Sequence, residues 1–188
     1  MKKVSILNYS TGNLNSIVNT LNLIGYKVCT VSSAEEISSS EVLLLPGVGA
    51  FDHAMKYLIK NNLVDSLNQR IKKNMKTIGI CLGYHILCNN SSEGLCRGLS
   101  FFNSNVKELP LNKLNVGWSD VNRDKNSTQY YFCNKFYVPL SSKTKATYMF
   151  EGNIYSAMEE FGNVYGIQFH PEKSYDNGRT FLKELINR

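Results

Sequence analysis

The stretch "KTIGICLGYH" (76–85) decides the fold, because an apolar run leads directly into Cys81, a thiol between Gly79 and Gly83. The apolar run predicts a buried strand, and the residues that follow it, 82–90, predict a helix. Glycines on both sides of the junction relieve crowding in a sharp strand-to-helix turn. The stretch therefore predicts a strand, a tight turn with a thiol at its apex and a helix, which together form one unit of an α/β fold.

The segments before this stretch repeat the alternation of strand and helix. Each apolar run is short enough for a strand, and the segments between them have helical spacing of apolar residues. That rhythm indicates a parallel sheet with helices on both faces. The predicted strands are 2–9, 26–31, 41–47 and 76–80, and the predicted helices are 12–25, 51–62 and 63–74.

The second half of the chain has a different pattern. From residue 99 to about 169, short strand-like runs alternate with polar turns, and a helix is predicted at 178–188. We interpret these runs as an antiparallel extension of the same sheet, without a linker or an internal repeat. The expected fold class is α/β: a three-layer αβα arrangement with a mostly parallel central sheet and an antiparallel extension, in which residues 1–188 form a single domain.

Composition limits the classes of function. The chain has 188 residues, 43% hydrophobic and 19% charged, and a net charge of +6 from 21 basic and 15 acidic residues. Its lysines are scattered instead of forming a stripe with aromatic residues, so an anionic substrate or an acidic protein surface accounts for the charge as well as nucleic acid does. No run has the length of a membrane span or the form of a signal peptide, and we expect a cytoplasmic protein.

The cysteines favour reduced thiols. Their number is odd and no pair has the C-x-x-C spacing, so a disulfide framework is not expected. The five are Cys29, Cys81, Cys88, Cys96 and Cys133.

Cys81 is the candidate nucleophile. Functional sites of open α/β sheets lie at the carboxyl ends of the strands. Three segments are expected to meet there: "PGVGAF" (46–51), "CLGYH" (81–85) and "HPEKS" (170–174). A thiol at the start of a helix is close to the positive end of the helix dipole, which stabilises a thiolate. Taken alone, a cysteine at such a position is more often a small apolar residue that fills a tight turn.

His170 and Glu172 provide the other groups that a cysteine nucleophile requires. The nucleophile needs a base, and the base needs a group that orients its ring. Pro171 holds the chain extended, and residues i and i+2 of an extended chain project to the same side. Glu172 can therefore reach the His170 ring, and His170 follows an apolar run that ends where it can face Cys81.

The "PGVGAF" segment predicts an oxyanion hole. Gly47 and Gly49 allow the backbone near Val48 to approach a substrate closely, which a plain glycine-rich turn would also explain. A tetrahedral intermediate requires backbone N–H groups that point at its oxygen. The N–H of Leu82, directly after the nucleophile, is the natural second donor. We therefore assign the oxyanion hole to Val48, Gly49 and Leu82.

A metal site is an alternative interpretation of His85. On a continuous helix, Cys81, His85 and Cys88 have i, i+4, i+7 spacing and would share one face. No fourth ligand is evident nearby, and Cys81 is expected in the turn and not in the helix. We therefore expect His85 at the edge of the site or buried, and no metal.

The three motifs, in this order, resemble those of the class I (triad-type) glutamine amidotransferases. Within that family, "ILNYSTGNLNSI" (6–17) and "NVGWSDV" (115–121) are similar to segments of the glutaminase subunits of imidazole glycerol phosphate synthases. The similarity covers essentially the whole chain. It implies that Cys81 attacks the side-chain amide of glutamine, that His170 takes and returns the proton and that Glu172 orients His170, without a cofactor.

The resemblance also implies a partner. Water would hydrolyse the thioester on Cys81, and the ammonia would pass to a barrel-shaped cyclase subunit that makes imidazole glycerol phosphate, a precursor of histidine. Asn13 and Trp118 match positions near that subunit, which predicts a heterodimer and no membrane or nucleic-acid partner. In the family, the "PGVG" loop need not take its active shape until the partner and its ligand are bound.

Substrate contacts are expected at Gly47, His85 and Glu93. Glu93, in "SSEG", matches an acid that contacts the substrate, whereas His85 stands where the family usually has a glutamine. Asn134 and Lys135 replace residues of a segment that closes over glutamine, and Asn8 replaces an acid near the N-terminus.

These departures leave two alternatives to the histidine pathway. One is a paralogous glutaminase that supplies ammonia for amidination of a surface sugar. The other is a non-catalytic scaffold or regulator that has lost its substrate pocket through His85, Asn134 and Lys135.

Overall fold

The computed structural model describes residues 2–10 and 14–188, and in these the chain alternates strands and helices through its first half. No helix of the described residues is long and apolar enough to cross a membrane. The helices are α1 (Asn15–Leu23), α2 (Ala34–Ser39), α3 (Phe51–Lys60), α4 (Val64–Lys72), α5 (Leu82–Leu87) and α6 (Tyr175–Asn187). The strands are β1 (Lys3–Leu7), β2 (Lys27–Val31), β3 (Val42–Leu45), β4 (Thr77–Ile80), β5 (Asn90–Ser91), β6 (Asn105–Glu108), β7 (Asn115–Arg123), β8 (Asn126–Asn134), β9 (Phe136–Tyr137), β10 (Thr144–Phe150), β11 (Asn153–Phe161) and β12 (Val164–Ile167).

The main sheet has a parallel half and an antiparallel half. In the described residues its nine strands have the order β2-β1-β3-β4-β12-β11-β10-β7-β8. Pairing is parallel from β2 through β12 and antiparallel from β12 through β8. β4 lies between β3 and β12 in the interior of the sheet and is buried at every residue. This topology confirms the predicted α/β fold with a parallel core and an antiparallel extension.

Apolar side chains form a core on each face of the sheet. Residues of α1 and α6 pack into one core and residues of α3, α4 and α5 into the other. The apolar run of β3 contributes alternate residues to both cores, as expected for a strand covered on two sides, whereas Ile78 and Ile80 of β4 both belong to the core beside α1 and α6. The predicted three layers are therefore present.

Two features differ from the sequence-based interpretation. The strands β5, β6 and β9 form a separate three-stranded sheet and do not extend the main one. In addition, α2 was not predicted. Its sequence signal is a capping box, in which the backbone N–H of Glu36 donates to the Ser33 hydroxyl and the Glu36 carboxylate accepts from the Ser33 N–H. A helix of six residues has too few apolar positions to reveal a period.

Close backbone contact joins β4 to α5. A Cβ atom added at Gly79 would lie 2.6 Å from the carbonyl carbon of Gly83. A Cβ atom added at Gly83 would collide with the backbone carbonyl of Leu45, in β3. The two glycines therefore let α5 turn back directly over the end of the sheet, as the pattern around Cys81 predicted.

We expect Gly83→Ala to destabilise the protein by about 2–4 kcal/mol, because the new methyl group meets backbone that cannot move aside. The matched control is Gly152→Ala, in a turn with φ +72° and open space around the glycine, where we expect a loss of about 1 kcal/mol. Urea unfolding followed by tryptophan fluorescence measures both. Equal losses in the two variants would contradict the close contact.

Candidate active site

The backbone of Cys81 is held in an unusual conformation. Its φ is 47° and its ψ is −100°, a combination that costs a non-glycine residue on the order of 1–3 kcal/mol. Its N–H donates to the carbonyl of Ile167 at 2.6 Å, and its carbonyl accepts from the His85 N–H at 3.1 Å. The last residue of β12 and the first turn of α5 therefore impose the strained turn that presents the thiol.

His170 and Glu172 form a buried pair. Nδ1 of His170 lies 2.7 Å from Oε1 of Glu172, and both side chains are less than a tenth exposed. The His170 N–H donates to the carbonyl of Tyr131 at 2.8 Å, and its carbonyl accepts from the Ser174 hydroxyl at 2.7 Å. Among the described residues, nothing donates to the second carboxylate oxygen of Glu172. Glu172 thus holds Nδ1 of the ring, and Tyr131 and Ser174 hold the backbone of His170. The other ring nitrogen, Nε2, is left for the contact with Cys81.

The charge on Cys81 controls the protonation of His170. Burial lowers the pKa of His170, but the negative charge of a Cys81 thiolate and hydrogen bonds to Cys81 and Glu172 act more strongly in the opposite direction and raise that pKa to about 10. His170 therefore keeps its positive charge when the sulfur that it faces is a thiolate, since opposite charges stabilise each other in a site with little solvent.

Most of the predicted site residues line one pocket of about 380 Å³, a volume within the range of small-molecule sites. A larger pocket, about 440 Å³, lies between β7, β8 and α6, but neither cysteine nor histidine lines it. The reactive side chains that line the smaller pocket, and not its volume, therefore identify it as the candidate active site. The residues around the smaller pocket are Gly47, Val48, Gly49, Cys81, Leu82, His85, Glu93, Cys133, Asn134, Lys135, Phe136, His170 and Lys173.

The loop after β3 passes close to the nucleophile. A Cβ atom added at Gly47 would lie 2.6 Å from the Ile80 carbonyl oxygen, and Gly49 has a φ of +125°. The buried hydroxyl of Tyr9 donates to the carbonyl of Pro46 and so anchors the start of this loop. On the opposite side, Leu82 is the first residue of α5, whose N–H the helix does not use. The backbone of both elements therefore lines the pocket beside Cys81.

Glu93 reaches the pocket from the loop after β5. Burial raises the pKa of its carboxyl group, a hydrogen bond from the Phe51 N–H opposes that effect, and the charge of Asp52 adds to it. Its own N–H donates to the Ser91 hydroxyl at 3.2 Å. Glu93, which the sequence analysis predicts as a substrate contact, thus lies in the wall of the pocket.

His85 is both buried and part of the pocket wall. Its Nε2 lies 3.1 Å from Oε1 of Gln168, and Nε2 of Gln168 lies 3.8 Å from the Cys81 sulfur. Burial lowers the pKa of His85 to about 4, with the Gln168 contact acting weakly in the opposite direction. Sequence reasoning missed Gln168. The signal was its position two residues before His170, which places both on the same side of an extended chain.

The proposed metal-binding spacing has a different role. Cys88 is buried and its thiol donates to the carbonyl of Tyr84 at 3.4 Å, while His85 contacts Gln168. In residues 2–10 and 14–188, no group of three or more potential ligands is arranged to hold a metal ion. His85 and Cys88 of this i, i+4, i+7 pattern are thus packed in the interior, each with a partner of its own.

The residues that depart from the family pattern have partners of their own. Asn134 is buried, and its amide donates to the carbonyl of Phe136 at 3.0 Å and to the Tyr148 hydroxyl at 3.3 Å. Lys135 forms an ion pair with Glu108 at 2.7 Å. Both residues therefore complete the wall of the pocket and do not fill it.

One of the two predicted interface residues can be described. Trp118 is 45% exposed and stacks on Tyr175, with ring centroids 5.7 Å apart. Asn13 lies outside the described residues. An exposed pair of stacked aromatic rings is typical of a surface that binds another protein.

We expect His85 to make the protein sensitive to acid. Its pKa is lower in the folded state than in the unfolded chain, so below pH 6.5 the unfolded chain binds the extra proton and stability falls as the pH decreases. Between pH 7 and pH 5 this residue should cost about 2 kcal/mol. Urea unfolding at both pH values should therefore show a smaller loss for His85→Gln than for the parent chain. The same loss in both proteins would contradict a neutral, buried His85.

Comparison with known proteins agrees with this geometry. Residues 5–186 match the sequence model of the family described as Glutamine amidotransferase class-I. Imidazole glycerol phosphate synthase subunit HisH 2 of Methanococcus maripaludis is 35% identical, over 98% of this chain and 99% of its own length. The HisH subunit of the same synthase from Caldanaerobacter subterraneus is 37% identical, over 97% of this chain and 96% of its own length.

Solved structures share the fold. A crystal structure described as a glutamine amidotransferase superposes with a TM-score of 0.81 at 18% identity, over 98% of this chain and 99% of that one. The structure of PurLQS from Thermotoga maritima has a TM-score of 0.77 at 14% identity, over 99% of this chain and 98% of that one. At these identities the structures support the fold alone. The match over residues 5–186, with relatives more than 30% identical over nearly their full length, shows that the chain belongs to the class I glutamine amidotransferase family.

Proposed function

We propose that this protein is a glutaminase subunit that hydrolyses L-glutamine to glutamate and ammonia with the triad Cys81, His170 and Glu172. The observation that carries the proposal is that a strained thiol at the start of α5 shares a pocket with the imidazole of His170, which is buried and paired with the Glu172 carboxylate. Such a nucleophile, base and orienting group are what covalent acyl transfer requires.

In the first half of the reaction, the Cys81 thiolate attacks the side-chain carbonyl carbon of glutamine. The oxyanion that forms accepts hydrogen bonds from backbone N–H groups of the Val48–Gly49 segment and Leu82. Because Nδ1 of His170 donates to Glu172, Nε2 is the nitrogen that protonates the departing nitrogen. The C–N bond breaks, ammonia leaves and a thioester to Cys81 remains.

In the second half, water hydrolyses the thioester. Nε2 of His170, now neutral, takes a proton from the water as it attacks the thioester carbonyl. The C–S bond breaks and glutamate leaves, and the proton stays on the imidazole next to the thiolate. Glu172 keeps the ring oriented and offsets its positive charge in both halves.

The pocket carries charges that suit the amino acid end of glutamine. Glu93 is an acidic partner for the α-ammonium group, and Gly47 and His85 complete the substrate contacts that we propose. Lys173 also lines the pocket and offers a positive charge to the α-carboxylate. This set of opposite charges favours a zwitterionic substrate.

We further propose that the ammonia serves a cyclase-type subunit in the synthesis of imidazole glycerol phosphate, and hence of histidine. Two relatives more than 30% identical over nearly their full length are subunits of that synthase by name. The exposed stack of Trp118 on Tyr175 is the surface that we assign to the partner, which we expect to be a (β/α) barrel. Amidination of a surface sugar remains the alternative destination of the ammonia.

Cys81→Ser should abolish glutamate formation, with a loss of at least about 1,000-fold, because serine is a far weaker nucleophile than a thiolate. The assay measures glutamate release with the cyclase-type partner and its ligand present. Cys29→Ser, at a half-buried thiol of β2, is the matched control and should retain full activity.

Two outcomes would contradict parts of this proposal. If neither the parent chain nor its complex releases more glutamate than Cys81→Ser, the chain is a scaffold and not a glutaminase. If glutamate forms but no cyclase-type partner stimulates it, the histidine pathway is the wrong destination.

Trp118→Ala should weaken binding to the cyclase-type subunit by about 30-fold, since buried tryptophans at the centre of interfaces contribute about 2 kcal/mol. Isothermal titration calorimetry measures the dissociation constant. Phe161→Ala removes another exposed aromatic residue, at the end of β11, and serves as the control. A similar, small effect of both substitutions would show that the partner binds elsewhere.

A further inference from the structure

We propose that Gln168 is a positioning residue for the nucleophile, and that His85 fixes the orientation of its side-chain amide. In this arrangement the amide donates a hydrogen bond to the Cys81 sulfur and holds it, as a thiolate, beside the pocket. The proposal rests on the proposed role of Cys81 and adds two residues to the machinery around it.

Gln168 is placed between the other two side chains. It follows β12 directly, is fully buried, and its backbone N–H donates to the Ala157 carbonyl at 2.9 Å. One end of its side-chain amide lies 3.1 Å from Nε2 of His85 and the other end lies 3.8 Å from the Cys81 sulfur. A buried amide is costly unless both ends have partners, so these contacts explain why a glutamine is tolerated there.

The charge on the sulfur selects one arrangement of protons along this chain of contacts. A thiolate can only accept, so the amide must turn its NH₂ group toward Cys81 and its oxygen toward His85. That oxygen can only accept, so Nε2 of His85 must carry a proton. His85 is buried and its pKa is lowered to about 4, hence it is neutral near pH 7 and its single ring proton is the one on Nε2.

Gln168 differs from the other groups around Cys81 because it does not titrate. Of the groups that face the sulfur, His170 exchanges its proton during the reaction, with Glu172 behind it. Lys135, Lys173 and Glu93 line the pocket. Burial raises the pKa values of the Tyr9 and Tyr148 hydroxyls, and a negative charge on Cys81 raises them further. An amide donor therefore stabilises the thiolate equally at every pH and whatever the protonation of His170.

The pairing also accounts for the histidine at position 85. With a neutral ring buried against Gln168, His85 provides a donor to the amide oxygen and cannot offer that same proton to a substrate. Its place in the wall of the pocket then reflects support of Gln168 as well as contact with the substrate. A leucine at position 85 would leave the amide oxygen without a partner and the amide free to turn over.

The test is the pH dependence of Cys81 alkylation by iodoacetamide, which requires neither glutamine nor a partner. The rate for Cys81 is the difference between each protein and the same protein with Cys81→Ser. We expect Gln168→Leu to shift the midpoint of the profile upward by about 0.5–1 pH unit, the loss of one hydrogen bond to a charged sulfur. His85→Leu should shift it in the same direction by less, because Gln168 then keeps its donor but loses its orientation.

Two further variants complete the design. His85→Gln retains a donor for the amide and should stay near the parent midpoint, which a merely structural role of His85 would not require. Gln69→Leu makes the same substitution as Gln168→Leu at an exposed position of α4 and should change nothing. If Gln168→Leu does not fold, as judged by its unfolding transition, the comparison of His85→Leu with His85→Gln decides.

The proposal is overturned if folded Gln168→Leu and His85→Leu both keep the parent midpoint. That result would leave the glutaminase function intact, provided that the parent chain still hydrolyses glutamine. Conversely, shifted midpoints in a protein that never releases glutamate would support the role of Gln168 and refute the glutaminase. In the active complex, Gln168→Leu should lower kcat and leave KM for glutamine within about two-fold, since the amide contacts sulfur and not substrate.

Discussion

The contact between the end of β4 and the first turn of α5 is the constraint on which the site depends. The two backbones approach so closely that Gly79 and Gly83 cannot carry side chains. This approach forces Cys81 into its strained conformation and leaves the N–H of Leu82 unused by the helix. Strain of this kind persists only where the surrounding structure over-determines it, and here the fully buried strand in the centre of the sheet provides that rigidity.

Burial makes the polar groups around the thiol effective. Cys81, His170 and Gln168 are each at least nine-tenths buried. In such surroundings an unpaired polar group is costly, and a paired one is held in a single orientation. His170, Glu172 and the Gln168 amide thus surround the Cys81 sulfur with polar groups whose orientations are held by their own partners.

The accuracy of the sequence-based predictions followed the strength of the local signal. β4 and α3 have continuous or periodic apolar patterns and were predicted closely. α2 was missed because six residues show no period, although the capping box at Ser33 marks its start. β6 and β9 were assigned to the wrong sheet, because alternation of apolar residues reveals a strand but not its neighbour. β5 was not predicted, because two residues are too few to show alternation.

The sequence by itself determined the strand-turn-helix unit around Cys81 and the His170–Glu172 pair, because each depends on residues close together in the chain. It also determined membership of the family, because each of the three motifs is a short local pattern and their order along the chain can be read directly. Only the tertiary structure decided which side chains from distant parts of the chain contact each other. His85 and Gln168 are 83 positions apart, and their contact depends on the parallel pairing of β4 with β12. Burial, which lowers the pKa of His85, and the contacts with Cys81 and Glu172, which raise that of His170, likewise belong to the packed protein, since both require the assembled core.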